Sequence, residues 1–552
     1  MHSPKFRTII FPAVIIVVIA LYTVQDSFAS AAGCDGNGNC YIYAAANGSG
    51  NGSSWTNAYT GFGTGTGKVN PASMTRGVTY WIAAGAYGAQ TFSSAASGTT
   101  VITIEGATTA SHGPASDWSD SYAGTATLIG DSYFTTGYWT VNGQPVPGCS
   151  YPHGSGDSGD ACYSIHFWNK SDGANQAIGI TSNLTLEYVE IEGTGEGFPN
   201  NSSTYDRCTS CYGNWNDYAI ETSFAISNLY VGYSYLHHTG NTQIQMNGGT
   251  GSSISNNCTF EGNWISYNHT GQNANHDEAF AILCNNMTVR YNVLQDICGS
   301  GLIVDASADE NFTMSNWYVY GNIFFSDAAY LALWPTLSKY AVGTIDQGVL
   351  VLGDDNVDNP NTEQLTGTFL FTDNTIANFT NGTDCSGTYS TQDVGATPAI
   401  YGAATVIIEN NLHYATSCQY GNYNPLCGMT SGGCTEDYNA SWQGDSTLTQ
   451  WQTCSGSGCG NSDTAGPHDY NVSTLTPTGP FGTTQPATTI AGYGLTTPDP
   501  FSSHAGATLG SPYNLDMLGV TRGANGTWDR GALQIGGGDP PPAPTNLAAT
   551  VH

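Results

Sequence analysis

A nine-residue phrase recurs through the middle of the chain, and its spacing limits the fold more than any single residue does. It reads Asn, apolar, x, apolar, x, x, Asn or a substitute, x, apolar. The copies are NLTLEYVEI from Asn183, NLYVGYSYL from Asn228, NCTFEGNWI from Asn257, NMTVRYNVL from Asn286 and NWYVYGNIF from Asn316. Their starts lie 45, 29, 29 and 30 residues apart, and looser copies follow from Thr368 and around Thr405 to Leu412. A period of about 20 to 50 residues marks a solenoid, whose units bury their apolar faces only by stacking on neighbours.

Apolar residues alternate inside each copy, as a strand with one buried face requires. Leu184, Leu229, Cys258, Met287 and Trp317 form one inward rung, and Leu186, Val231, Phe260, Val289 and Val319 the next. Thr185, Tyr230, Thr259, Thr288 and Tyr318 point outward, as do Glu187, Gly232, Glu261, Arg290 and Tyr320. Asn263, Asn292 and Asn322 occupy the seventh position, where stacked amides can bond one another and satisfy buried backbone at a bend. A second short strand precedes several copies: TQIQM, AFAIL, GLIV and GVLVLG. Several short parallel strands per coil of about 20 to 30 residues describe a parallel β-helix.

At this level the chain resembles the right-handed parallel β-helices of the pectate-lyase-like superfamily. The stretches YIYAAANGSGNGSSWTNAYTGF, GVTYWIAAGAYGAQTFSS and VITIEGA are similar to the opening cap and first coil of many secreted members. Near the end, YNLDMLGVTRGANGTWDRGALQ resembles their closing segment, with Asp516, Gly519, Arg522, Asp529, Gly531 and Ala532 matching a recurrent pattern. The resemblance runs over roughly residues 40 to 535 and is weakest over 415 to 500. It implies an all-β solenoid, a scaffold that hosts many chemistries.

A solenoid grows by adding coils, so 552 residues need no second core, and one β-helix domain is expected over 32–536. Before it, Lys5 and Arg7 precede an apolar run from Ile9 to Tyr22, and Ala29, Ser30 and Ala31 supply small residues for cleavage. Residues 1–31 therefore read as a secretory signal, with a retained anchor as the alternative because the run is long. Residues 537–552 form a Gly/Pro-rich linker whose PAPTNLAATV is similar to the first strand of a fibronectin type III module, a tether to further domains. The expected location is secreted or cell-surface.

Fifteen cysteines in an exported chain imply disulfides. Spacing pairs Cys34 with Cys40, Cys149 with Cys162, Cys208 with Cys211, Cys427 with Cys434, and Cys454 with Cys459. Cys385 with Cys418 and Cys284 with Cys298 complete the set and leave Cys258 inside as a buried thiol. The alternative is lipidation of Cys34, leaving an even fourteen. Net charge is −32 with only ten Lys and Arg, which repels nucleic acid and anionic membranes and handicaps binding of polyuronates.

Side chains from successive coils converge on outward faces or rimming loops, so chemistry belongs where functional residues recur coil by coil. His237 and His238, then His269, then His276, Asp277 and Glu278, then Asp296 and Asp305 do so. Asp277 and Glu278 supply an acid and a base for cleaving a neutral glycan, with His276 or His238 assisting, although adjacent strand residues face opposite ways. The other reading makes these solvated turn residues. Arg290 is a second catalytic candidate, because lyases of the superfamily it resembles use an Arg or Lys base beside a uronate whose charge a cation neutralises. Its rival role is a simple ion pair with Glu261. Tyr230, Tyr318 and Tyr320, with His238, are candidates for holding sugar rings. Calcium is the one cofactor the residues suggest, through the oxygen-rich loop with Asp354, Asp355 and Asp358, which lacks an EF-hand pattern. Two functions follow: a protein that binds, and in one form cleaves, an extracellular polysaccharide as hydrolase or lyase; and a non-catalytic adhesive or structural solenoid.

Overall fold

The structure, a computed structural model, describes residues 34–154, 161–169, 176–194, 217–240, 242–246, 254–268, 278–297, 301–303, 313–337, 348–352, 364–379, 392–396, 401–402, 404–414, 434–442, 467–472, 476–496 and 506–535. Their strands form three parallel sheets of 14, 12 and 9 strands, called here the first, second and third. One coil takes one strand from each, as in Ser227–Gly232, Tyr235–Thr239 and Ile244–Met246, and the next coil repeats with Ser255–Glu261, Trp264–Asn268 and Phe280–Ile282. Successive coils pair in register, giving the right-handed parallel β-helix expected from the phrase. No helix among the described residues is long and apolar enough to cross a membrane.

Each phrase turns out to span two sheets. Leu184–Glu187 lies in the first, Val189–Glu192 in the second, and the corner residue between them, Tyr188, has φ 51°. Tyr233, Gly262, Tyr291 and Gly321 repeat this left-handed corner in the following coils. At two of these corners glycine makes room for a tyrosine of the preceding coil: a Cβ on Gly262 would meet Tyr233 at 2.7 Å, and one on Gly321 would meet Tyr291 at 2.8 Å.

The inward rungs are those read from the sequence. Leu184 stands opposite Leu229 and Leu229 opposite Cys258, while Leu186, Val231, Phe260, Val289 and Val319 follow one another down the core. Just past the corner, Asn263, Asn292, Asn322, Asn374, Asn411 and Asn439 form a buried ladder. Each Nδ2 from Asn263 through Asn411 donates to the next Oδ1 at 3.0 or 3.1 Å. Each amide also bonds backbone beside the corner; Asn292 Oδ1 accepts the Asn263 N–H, and Asn292 Nδ2 donates to the Phe260 carbonyl of the preceding coil. The first Asn of each phrase sits in left-handed backbone, with φ between 54° and 60° from Asn183 through Asn316, and these amides bond along an outer ladder that Asn286 joins through Asn256 rather than Asn257.

Cys34–Cys40 and Cys149–Cys162 are bonded, but Cys284 is bonded to Cys258 and not to Cys298. The correction has a geometric cause. Cys284 opens the strand that runs into the first sheet, fully buried, so its sulfur turns into the core beside the inward Cys258, with Cα atoms 6.4 Å apart. Cys298 and the members of the remaining expected pairs lie outside the described residues or, for Cys434, have no described side chain. The closing segment is a clasp: buried Arg522 donates to the carbonyls of Leu515, Asp529 and Gly531, and Trp528 Nε1 donates to Asp373 at 3.0 Å.

Candidate functional site

The outward rung of the first sheet runs Glu105, Asn142, Glu187, Gly232, Glu261, Arg290 and Tyr320 in consecutive strands. Strands lie about 4.8 Å apart, so Glu105, Glu187 and Glu261 recur about every 9.6 Å along one line. Gly232 leaves the gap between the last two carboxyls open at backbone level. A Cβ there would come within 2.6 Å of Tyr230, whose ring lies over the glycine and whose phenol sits 3.4 Å from Glu261 Oε2.

The carboxyls on this line differ in setting. Glu261 Oε2 accepts from Arg290 Nη2 at 2.7 Å, and Glu261 Oε1 from the Tyr233 hydroxyl at 3.4 Å. Glu187 has no such cation among the described residues: burial, and then the charge of Glu261, push its carboxyl up to about 7. Burial likewise raises Glu105 to about 7, against a hydrogen bond from Gln144 and with the charge of Glu187. Arg290 also donates to the Tyr320 hydroxyl at 3.0 Å. Burial opposes its charge, but Glu261 and Tyr320 outweigh this and bind its proton more tightly than usual. In this geometry Arg290 makes the ion pair with Glu261 that its place on the rung suggests.

Around the corner, the second sheet carries a group that the sequence reading missed. His166 stands opposite Glu190, and Trp168 opposite Glu192, on the outward face. His166 Nε2 lies 3.0 Å from Glu192 Oε2 and Nδ1 3.8 Å from Glu190 Oε2, and His237 Nε2 is 3.1 Å from Glu190 Oε1. Small residues on earlier coils, Ala86 and Thr127 among them, leave an open groove of about 390 Å³ beside it. One ligand atom from each of His166, Glu190 and Glu192 lies within 4.8 Å of the others, the one group among the described residues that could hold a metal ion. An imidazole with two carboxylates suits a divalent transition ion better than calcium, which takes oxygen ligands alone. The outward alternation H-x-W in IHFW and E-x-E in VEIE was the signal, once the strand is seen to restart after the corner.

Of the residues singled out from the sequence, His276 and Asp277 lie outside the described residues, as do Asp354, Asp355 and Asp358. Glu278 is 0% exposed and accepts from Thr242 Oγ1 at 3.1 Å, so it faces no open surface. His238 is also buried, at a left-handed corner against His237 and Tyr267. Tyr230 and Tyr318 are half-buried on the outward face. Tyr320 is only 2% exposed, packed against Tyr291 and against Tyr513 of the closing segment, so it offers no ring to a sugar.

No family description matches the chain, and no curated protein matches it. Among solved structures it is similar to pectate lyase Pel9A, at 12% identity over 91% of this chain and 98% of that one, with a TM-score of 0.37. It is also similar to a mutant of the PL6 family alginate lyase AlyGC, at 12% identity over 82% of this chain and 58% of that one, with a TM-score of 0.28. At that distance neither likeness bears on activity or substrate. What the stacked sheets establish is the architecture: a right-handed parallel β-helix.

Proposed function

We propose that the protein is an exported, carbohydrate-active β-helix that binds an extracellular polysaccharide across the outward face of the first sheet and hydrolyses it with Glu187 and Glu261. The observation that carries this reading is a pair of carboxyls on one rung, set apart by environment. Glu187 is half-buried, with no cation beside it among the described residues, and raised to about 7, while Glu261 is ion-paired with Arg290 at 2.7 Å. Such a division of roles is what glycoside hydrolysis needs. Glu187 gives its proton to the glycosidic oxygen, Glu261 takes one from water, and that water attacks the anomeric carbon as the bond to the leaving oxygen breaks. Two strand spacings, about 9.6 Å, lie near the carboxyl separation of inverting enzymes, which leaves room for the water. Tyr230, lying over Gly232, gives a sugar ring an aromatic floor between the two. The disulfides support an oxidising, extracellular setting.

A panel of neutral and acidic polysaccharides, followed for new reducing ends and for the ultraviolet absorbance of unsaturated uronates, tests the proposal. Reducing ends from a neutral glycan without that absorbance, and with inverted anomeric configuration, support it. Unsaturated products make the protein a lyase, and binding without cleavage makes it the adhesive solenoid.

A further inference from the structure

A second cavity, away from the carboxyl rung, lies further along the outward face of the second sheet. It encloses about 290 Å³ under the segment 476–496, with Trp264, Phe325 and Tyr493 among its lining residues together with Gln295, Asp327 and Ile490. The aromatic rings adjoin one another: Trp264 and Phe325 have centroids 6.4 Å apart, and Phe325 and Tyr493 4.8 Å. The wall is largely apolar and includes no Lys or Arg among the described residues.

The polar groups at its sheet side are bonded to one another. Gln295 Oε1 accepts from Trp264 Nε1 at 2.9 Å, and Gln295 Nε2 lies 2.9 Å from Asp296 Oδ2 and 3.2 Å from Asp327 Oδ2. Asp296 Oδ1 accepts the Asp327 backbone N–H at 2.7 Å. Two carboxyls thus share one amide, and burial together with Asp327 drives the fully buried Asp296 well above the usual carboxyl range. Asp296 lies fully buried behind the amide, and Asp327 is the carboxyl that lines the cavity.

A sugar would find the Gln295 amide and Trp264 Nε1 already engaged and only the hydroxyls of Thr488 and Thr489 beside them among the described side chains, and an anion would meet Asp327. A compact cation with an apolar skin needs no hydrogen-bond partner, because a carboxylate and an aromatic face satisfy it together. We propose that this cavity binds a small alkylated ammonium ion, held beside Asp327 and against the ring of Trp264. The site is independent of the carboxyl rung and of any cleavage.

Titration calorimetry of the full chain with choline, with its neutral carbon isostere 3,3-dimethyl-1-butanol and with glucose tests it. Choline is expected to bind saturably, the isostere about tenfold more weakly, and glucose not at all. Asp327→Asn should bring choline down to the level of the isostere, and Ile490→Trp, which fills the cavity, should abolish both; melting curves check that each variant is folded. Equal binding of choline and isostere, choline binding that survives both substitutions, binding of glucose, or no saturable choline binding would each overturn the proposal.

Discussion

Replacing Asn292 by alanine strips the middle from the buried amide ladder, and the loss can be worked bond by bond. Asn292 Nδ2 donates to the Phe260 carbonyl and to Asn322 Oδ1, both at 3.0 Å, and Asn292 Oδ1 accepts from the backbone and side-chain nitrogens of Asn263 at 2.9 and 3.0 Å. Asn263 Nδ2 keeps its bond to Val231 O, and Asn322 Oδ1 keeps the one from Asn292 N–H, so these atoms stay satisfied. The Asn263 N–H loses its partner in a site closed to water, while the Phe260 carbonyl keeps its place in the first-sheet pairing with the strand of Arg290. At about 1 to 3 kcal/mol for the orphaned N–H and about 1 kcal/mol for the other ladder bonds lost, the substitution should cost about 2 to 4 kcal/mol. Asn286 gives the matched control. It sits in the outer ladder with bonds of 2.8 and 2.9 Å, where water can replace the lost partners. Asn286→Ala should cost only about 1 to 2 kcal/mol, mostly for alanine in left-handed backbone at φ 54°. Urea unfolding followed by far-ultraviolet circular dichroism compares the two with the parent chain. Equal midpoints for Asn292→Ala and Asn286→Ala would refute the claim that the inner ladder stabilises the corner by satisfying buried backbone.

Other outcomes follow from the same geometry. Peptide mapping without reduction should recover Cys258 linked to Cys284, and replacing both by alanine should cost about 2 to 4 kcal/mol of stability; a peptide linking Cys284 to Cys298 would show the core bond to be wrong. Glu105 and Glu187 keep their protons in the folded state up to about pH 7, whereas the unfolded chain releases them near 4.5. The folded state therefore binds more protons across that window, so their contribution is full below 4.5 and lost as the pH rises through 7. Stability should fall by about 1 to 3 kcal/mol per group over that range, and Glu105→Gln with Glu187→Gln should flatten the slope. An unchanged slope would place the titration elsewhere.

The sequence exposed the scaffold well because two short periods are written into it. Alternation set which residues of Leu184 to Glu187 face inward, and the coil repeat set which ones stack, so the outward line through Glu187, Glu261 and Arg290 could be drawn before any coordinates. The amide ladder was legible at Asn263, Asn292 and Asn322, but its continuation was not. The next rungs, Asn374 and Asn411, come 52 and 37 residues later, where longer loops hide the period. Departures arose where the chain leaves its repeat. Tyr320 reads as an open platform until Tyr513, from a distant segment, packs against it. His166 precedes the first copy of the phrase, and its partners Glu190 and Glu192 follow a corner that the phrase conceals, so nothing in the spacing brings them together. Glu278 was sought as a surface acid because it lies beside His276 and Asp277, yet it begins the approach to an inner strand and is drawn into the core.

The central claim is that Glu187 and Glu261 divide the work of acid and base, and kcat/KM on whichever glycan the panel selects tests it most directly. Glu187→Gln and Glu261→Gln, each with a melting curve like that of the parent, should lower kcat/KM at pH 6 by about 100-fold or more, and the parent's activity should decline as Glu187 loses its proton above about pH 7. Glutamine variants that retain the parent's kcat/KM, or activity that climbs through pH 8, would contradict it.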